Sequence, residues 1–141
     1  MRVDFYLLKA ETSDVFWLTA CRLLEKAYRQ GHQVFVYCSD QQDAEHLDEL
    51  LWTFKPDSFI PHHLQGEGPE PPPPIQIGHT NEPRGFDDIL LNLSREVPAF
   101  FARFKRIIEI VPGDETGKTQ SREHFRMYRK AGIEPKTHVI E

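Results

Sequence analysis

The sequence has few of the residues on which secreted, metal-binding and membrane-spanning proteins depend. Its 141 residues include only two cysteines, Cys21 and Cys38, and each lies inside an apolar stretch. A disulfide framework and a cysteine-based metal site are therefore not expected. No apolar run approaches the roughly 18 residues of a membrane span, and no leader pattern opens the chain. We expect a soluble, cytoplasmic protein with two buried, reduced thiols.

The chain also has fewer positively than negatively charged residues. Seventeen lysines and arginines face 22 aspartates and glutamates, which gives a formal net charge of −5. This balance argues against a protein that wraps nucleic acid through its bulk charge, although it leaves room for a local basic patch. The length suits one domain over residues 1–141, large enough to bury a core without disulfides or metal.

Common catalytic motifs are missing as well. The chain contains neither H-E-x-x-H nor G-x-S-x-G, and its seven histidines are scattered without metal-ligand spacing. Neither thiol has an obvious neighbour in sequence that would lower its pKa. We therefore predict no catalytic residue, no metal site and no cofactor.

The first half of the chain has the pattern of alternating strands and helices. Residues 3–8 and 34–38 are short apolar runs that predict strands. Between them, Thr12 or Ser13 can cap a helix that Gly31 ends, and Asp40 can cap a second helix. This order predicts a three-layer α/β domain with a mainly parallel sheet covered by helices.

The second half is interrupted by a proline-rich stretch. Residues 64–74 end in four consecutive prolines and predict an exposed loop. Strands are predicted at 75–79, 89–93 and 106–111, and a short helix at 98–104. A last helix should follow the turn at 112–116 and end at Gly132, which leaves residues 133–141 as a tail with room for an edge strand at 137–140.

The last predicted helix has a distinctive face. Lys118, Arg122, Phe125 and Arg129 follow one another at helical spacing, so they form one stripe of three cations around an aromatic ring. Such a stripe suits a partner that is anionic at one point and apolar at another, although charged residues on a helix more often form only a solvated face.

The same segment also opens like a nucleotide-binding loop, because Gly117-Lys118-Thr119 follows an apolar strand and a turn. A working loop needs a glycine where Pro112 stands, and Asp114 would repel phosphate oxygens. A small nucleotide-binding enzyme is therefore the alternative hypothesis, and we expect no functional nucleotide-binding loop.

A second aromatic feature lies at the end of the second predicted helix. The inward positions of that helix are already filled, so Trp52 points about 100° away from them. Phe59 and Pro61 follow in the next loop. The aromatic rings either pack against each other as a small satellite cluster or form a hot spot for a partner, where tryptophan is over-represented.

Five segments in this order resemble the chi subunit of bacterial DNA polymerase III holoenzyme: LDELLW at 47–52, SFIPH at 58–62, GEGP at 66–69, DILLNL at 88–93 and YRKAG at 128–132. Each segment alone is a weak signal, whereas their combination from the first strand to the tail is specific. The resemblance implies a Rossmann-like fold that binds no nucleotide and an accessory subunit of the clamp loader without catalysis of its own.

The resemblance also implies partners. Chi subunits pair with psi, which tethers them to the clamp loader, and bind the acidic C-terminal tail of single-stranded-DNA-binding protein, so that contact with DNA is indirect. By motif, Val111 would line an apolar pocket, while Lys118, Arg122 and Arg129 would meet the tail's carboxylates. Phe125 stands where the family often has tyrosine. Trp52, Phe59 and Pro61 match the surface expected to face psi.

Overall fold

The computed structural model of this protein describes residues 1–68 and 71–140. Pro69 and Glu70, within the predicted proline-rich loop, and Glu141, at the end of the predicted tail, lie outside the described residues. No helix in these two ranges is long and apolar enough to cross a membrane.

A seven-stranded parallel sheet forms the centre of the described chain. Its strands are β1 Arg2–Leu8, β2 Val34–Tyr37, β3 His62–Leu64, β4 Ile75–Gly78, β5 Ile89–Asn92, β6 Arg106–Val111 and β7 Lys136–Ile140, in the spatial order β3-β4-β2-β5-β6-β1-β7. The helices are α1 Ser13–Arg29, α2 Gln41–Thr53 and α3 Glu115–Lys130, with one 3₁₀ turn at Phe101–Arg103. Every pairing is parallel. The predicted three-layer α/β architecture is confirmed.

The two faces of the sheet bury separate apolar clusters, because successive side chains of a strand point to opposite faces. Alternate residues of β2 show the division, with Val34 and Val36 in the cluster under α1 and α2, and Phe35 in the cluster under α3. The α3 side is rich in aromatic rings, among them Phe5, Phe104 and Tyr128. Helices therefore cover both faces, as parallel sheets require.

Capping residues set the ends of the helices. The Oδ1 atom of Asp40 accepts a hydrogen bond of 2.8 Å from the backbone N–H of Asp43, which confirms the predicted start of α2. The side chain of Asp114 likewise accepts a hydrogen bond from the N–H of Gly117, so α3 begins at Glu115, inside the predicted turn at 112–116. Gly31 and Gly132 follow the ends of α1 and α3 with φ of +83° and +89°, a conformation that favours glycine.

Three predictions about the second half were incomplete. Strand β3 was missed, since His-His-Leu lacks the β-branched residues that mark a strand, so the predicted loop begins after Leu64. The helix expected over 98–104 is a single 3₁₀ turn at Phe101–Arg103. The tail contributes the full strand β7, which pairs with β1 from Asp4 to Leu8 and forms the edge of the sheet.

Candidate functional site: a cationic pocket at the carboxyl edge of the sheet

A pocket of about 360 Å³ lies between the first half of α3 and the carboxyl ends of β1 and β6. Phe5, Leu7 and Val111 provide its apolar floor from the sheet. Lys118 and Arg122 provide two cations from α3. The carboxyl edge of a parallel α/β sheet is the usual place for a ligand site, and the combination of an apolar floor with a cationic rim suits an amphipathic anion.

The floor of the pocket is aromatic where the helix meets the sheet. The ring of Phe125 lies 5.3 Å from the ring of Phe5, centroid to centroid, at an interplanar angle of 55°. Both residues line the pocket. This contact fixes the Phe125 ring against β1, so that the apolar part of the site is preformed rather than assembled by a ligand.

The cations on the rim differ in how free they are. Lys118 Nζ lies 4.0 Å from a carboxylate oxygen of Glu115, at the limit of an ion pair and exposed to solvent. Arg122 is exposed and makes no ion pair with another residue in 1–68 or 71–140. An unpaired guanidinium can form two parallel hydrogen bonds to a carboxylate, so Arg122 is the strongest candidate to hold an anion here.

The structure brings four of the five residues predicted for this site into one pocket: Val111, Lys118, Arg122 and Phe125. The fifth, Arg129, lies two turns further along α3 and does not line the pocket. Its Nε atom is 3.2 Å from Oε2 of Glu134, in an exposed ion pair. An exposed pair of this kind contributes little free energy, so Arg129 can exchange Glu134 for a carboxylate of a ligand.

A buried polar network holds α3 in place behind the pocket. Glu109 on β6 is 2% exposed, and its carboxylate accepts hydrogen bonds from His124 Nδ1 at 3.0 Å, Asn92 Nδ2 at 2.9 Å and the Tyr128 hydroxyl at 2.7 Å. The other ring nitrogen of His124, Nε2, lies 2.8 Å from the carbonyl oxygen of Arg95. A ring with both nitrogens beside acceptors donates from both, as only imidazolium can.

This network shifts the pKa values of His124 and Tyr128. Burial lowers the pKa of His124, but the hydrogen bond and negative charge of Glu109, the Arg95 carbonyl and the charge of Glu123 together raise it by more, so the net pKa lies above its ordinary value. Burial and the Glu109 carboxylate together raise the pKa of Tyr128 far above the usual range, so Tyr128 donates its proton as a neutral phenol. The raised pKa of His124 favours the charged form of the residue that anchors α3 to β6.

The segment that resembles a phosphate-binding loop is occupied by the protein's own contacts. The N–H of Gly113 donates to the carbonyl of Ala10 at 3.1 Å, and the N–H of Gly117 donates to Oδ2 of Asp114 at 3.2 Å. A phosphate cradle needs such N–H groups free. A Cβ atom on Gly117 would lie 2.7 Å from Cγ of Pro112, so this glycine serves close packing of α3 against the turn.

The two thiols are poor candidates for chemistry. Cys21 and Cys38 are fully buried, and burial raises the pKa of each to about 12. A thiol with such a pKa is not a nucleophile at neutral pH. Among residues 1–68 and 71–140, no group of three or more histidine, cysteine or acidic side chains is arranged to hold a metal ion.

A second surface contains the predicted aromatic residues at the end of α2 and in the loop after it. The rings of Trp52 and Phe59 are 5.8 Å apart, and Trp52 also lies 4.5 Å from the ring of His62. Trp52 and Phe59 are nevertheless 52% and 66% exposed. Pro61 is half-buried beside them. The rings thus pack together and remain exposed to solvent, so both alternatives from the sequence, a satellite cluster and a surface for a partner, are compatible with their positions.

Sequence reasoning missed the residues that complete the pocket from the sheet and from the edge strand. Phe5 and Leu7 on β1 and Thr137 on β7 line it, as does the buried Ser121 on α3. The apolar alternation of β1 indicated that Phe5 and Leu7 share a face, but only the pairing of β1 with β6 and β7 places them beside Val111.

Comparison with known proteins gives a consistent result. The sequence model of the family described as DNA polymerase III chi subunit, HolC, matches residues 1–136. The DNA polymerase III subunit chi of Pseudomonas aeruginosa is 38% identical over 139 residues, which cover 99% of this chain and 96% of that protein.

Two further relatives carry the same description. The Haemophilus influenzae protein is 37% identical over 92% of this chain and 90% of its own length. The Escherichia coli protein is 34% identical over 92% of this chain and 91% of its own length. The match therefore spans every element from β1 to α3. The chain belongs to the DNA polymerase III chi subunit family, whose members are accessory subunits in DNA replication.

Proposed function

We propose that this protein is a non-catalytic adaptor of the replisome, which binds the acidic C-terminal tail of single-stranded-DNA-binding protein through the pocket under α3. A second surface around Trp52 binds psi, and psi joins the protein to the clamp loader. Contact with DNA in this role is indirect, and no cofactor takes part. A replication subunit of this kind acts in the cytoplasm, where the bacterial chromosome lies.

The observation that carries the proposal is the combination, in one pocket, of an apolar floor with an unpaired guanidinium and a weakly paired ammonium group. A tail that ends in aspartates followed by Ile-Pro-Phe carries both an aromatic side chain and several carboxylates. The terminal phenylalanine suits the floor formed by Phe5, Leu7 and Val111, while the carboxylates suit Arg122 and Lys118. A ligand with only one of these features would leave half of the pocket unused.

The expected strength follows from the size of the site. A pocket of about 360 Å³ holds only a few residues of a peptide, so one contact should be weak, in the micromolar range. Exposed cations make the binding sensitive to salt. A partner with several tails on coated DNA compensates, since each tail raises the local concentration of the next.

The proposed psi surface lies elsewhere on the fold. Trp52 lies in the last turn of α2 and Phe59 in the loop after it, on the opposite face of the sheet from α3. Two exposed aromatic rings already in contact lose little side-chain freedom on binding, which favours them as anchors. Separate positions allow psi and the tail to be bound at the same time.

The test is binding of a fluorescent peptide that ends in Asp-Asp-Ile-Pro-Phe, followed by anisotropy. Replacing Arg122 by alanine should cost about 1.5–3 kcal/mol of binding, the range for a charged hydrogen bond. Arg126→Ala is the matched control, because Arg126 is exposed on the same helix and does not line the pocket. Equal affinity of the Arg122→Ala variant and the native protein, or no binding to the native protein, would sink the proposal.

A further inference from the structure

A second cationic cavity lies at the amino edge of the sheet, at the other end of β1 from the pocket lined by Val111, Lys118, Arg122 and Phe125, which we call the tail pocket. It has a volume of about 250 Å³ and is enclosed by the starts of β1 and β6 and the last turns of α1. Three cations line it, namely Arg2, Lys26 and Arg106, and none of the acidic residues in the described part of the chain does. We call this cavity the amino-edge cleft.

A buried carboxylate organises two of these cations. Asp4 is 0% exposed, and its Oδ2 atom lies 2.9 Å from Nε of Arg2 and 2.9 Å from Nε of Arg106. Its Oδ1 atom lies 2.8 Å from Nε2 of His138 on β7. Both oxygens of Asp4 are therefore used within the protein, and the two guanidinium groups are held side by side through their Nε atoms.

The contacts with Asp4 leave most of the donors in the cleft unused. Arg106 Nη2 donates to the Tyr6 hydroxyl at 3.1 Å, and that hydroxyl keeps its own proton for another acceptor. Within residues 1–68 and 71–140, the terminal nitrogens of Arg2 and the Nζ atom of Lys26 have no hydrogen-bond or ion-pair partner. The cleft thus contains the two guanidinium groups, the Lys26 ammonium group and the Tyr6 phenol. The carboxylate of Asp4 is the one buried negative charge beside them in the described part of the chain.

The end of α1 does not cancel this charge. A helix C-terminus repels anions through its free carbonyls. Here the carbonyls of Lys26, Tyr28 and Ala27 accept hydrogen bonds from the N–H groups of Gln30, Gly31 and His32. The last turn is therefore capped, and the cleft keeps a local positive charge in a chain whose net charge is −5.

From this arrangement we propose that the amino-edge cleft binds a phosphate group, carried by a nucleic-acid strand or a nucleotide. A phosphate offers several oxygens in a tetrahedral arrangement and can accept hydrogen bonds from both guanidinium groups and Lys26 together. A single carboxylate of a peptide has two oxygens and one charge, too few for three cations. The site is independent of the tail pocket, and its failure would leave the adaptor proposal untouched.

The test uses the full chain labelled with ¹⁵N and three probes, each read by backbone amide shifts. The probes are inorganic phosphate, thymidine monophosphate and an oligothymidylate of about ten nucleotides. Shifts at Arg2, Tyr6, Lys26 and Arg106 support the proposal. Saturation by the oligonucleotide at far lower concentration points to a strand as the source, and equal response to all three points to a free phosphate compound.

Anisotropy with a labelled oligonucleotide measures the contribution of the cleft. Lys26→Gln should weaken binding about tenfold and lower the salt slope by about 0.7, as the loss of one phosphate contact predicts. Lys130→Gln is the control, because it removes the same charge from the end of α3, away from the cleft. An Arg122→Ala variant reports on phosphate bound in the tail pocket instead.

Several results would overturn the proposal. One is an absence of shifts at the cleft with every probe. Another is loss of oligonucleotide binding in Arg122→Ala together with unchanged binding in Lys26→Gln. An acidic peptide that shifts the cleft amides when no phosphate probe does so would replace the phosphate with a carboxylate ligand and would equally contradict it.

Discussion

Nδ1 of His124 lies 3.0 Å from a carboxylate oxygen of Glu109, and this buried pair joins α3 to the centre of β6. The cationic rim of the tail pocket sits on the exposed side of the same helix, so the pair positions Lys118 and Arg122 without touching a ligand. His124 is thus a positioning residue. Its protonation determines the strength of the pair with Glu109, and this pair holds α3, which carries Lys118 and Arg122.

The first prediction concerns the pH dependence of stability. Because the pKa of His124 is raised above its ordinary value of 6.5 in the folded state, the charged pair contributes stability in full below pH 6.5 and loses it as the pH rises through the folded-state pKa. The free energy of unfolding should therefore fall above pH 6.5. Urea unfolding of the native protein and of His124→Gln over a pH series measures the difference, and parallel curves would contradict it.

The second prediction concerns the two halves of the tail pocket. Val111→Thr keeps the shape of the side chain but places a hydroxyl in the apolar floor, so the affinity for the tail peptide should fall by about 1 kcal/mol at every salt concentration. Arg122→Gln should instead reduce the dependence of affinity on salt, because it removes a rim charge. Anisotropy in a salt series separates the two. A change of salt slope in Val111→Thr would be inconsistent with this division.

The third prediction tests why glycine stands at position 117. A Cβ atom there would lie 2.7 Å from Cγ of Pro112 and 2.9 Å from Oδ1 of Asp114. Gly117→Ala should therefore lower the free energy of unfolding by about 1–3 kcal/mol, despite the better helix propensity of alanine. Thr116→Ala, at an exposed neighbouring position, is the control. A stabilised Gly117→Ala protein would show that the turn relaxes at no cost.

The fourth prediction separates the two proposed protein contacts. The double variant Trp52→Ala and Phe59→Ala should lose psi binding by at least tenfold, since exposed aromatic anchors dominate such interfaces. Its affinity for the tail peptide should not change, because neither residue lines the tail pocket. Co-purification with psi and peptide anisotropy on the same sample measure both. Loss of tail binding with retained psi binding would reverse the assignment of the surfaces.

Much of the fold could be predicted from the sequence because its signals are local. The apolar runs of β1, β2 and β6 and the cap Asp40 each depend on a few neighbouring residues, whereas the cap Asp114 was predicted only as part of a turn. Strand β3 could not be predicted in this way, since His62–Leu64 forms a strand only through its pairing with β4. The sequence indicated strand β7 only weakly, because this strand is stabilised by its pairing with β1 rather than by the strand propensity of its own residues.

The site was predictable to the extent that it lies on one helix. Lys118, Arg122 and Phe125 share a face because of helical spacing alone, and the structure places them in one pocket. The amino-edge cleft has no such signal. Arg2 and Arg106 are 104 positions apart in the sequence and adjacent only because Arg2 pairs with Arg106 in the sheet. The charge balance of the whole chain conceals the local excess that this pairing creates.

Strand β1 contributes to both cationic sites, since Phe5, Leu7 and Leu8 line the tail pocket and Arg2 and Tyr6 line the amino-edge cleft. Phe5 and Leu7 point to one face of the sheet and Arg2 and Tyr6 to the other, because side chains alternate along a strand. A shift of β1 in register would therefore displace both sets of side chains. A deletion of one residue within β1 would turn each side chain beyond it to the opposite face. A one-residue deletion within β1 should therefore disturb the tail pocket and the amino-edge cleft together. A substitution at a single β1 position should disturb only the site that this side chain lines.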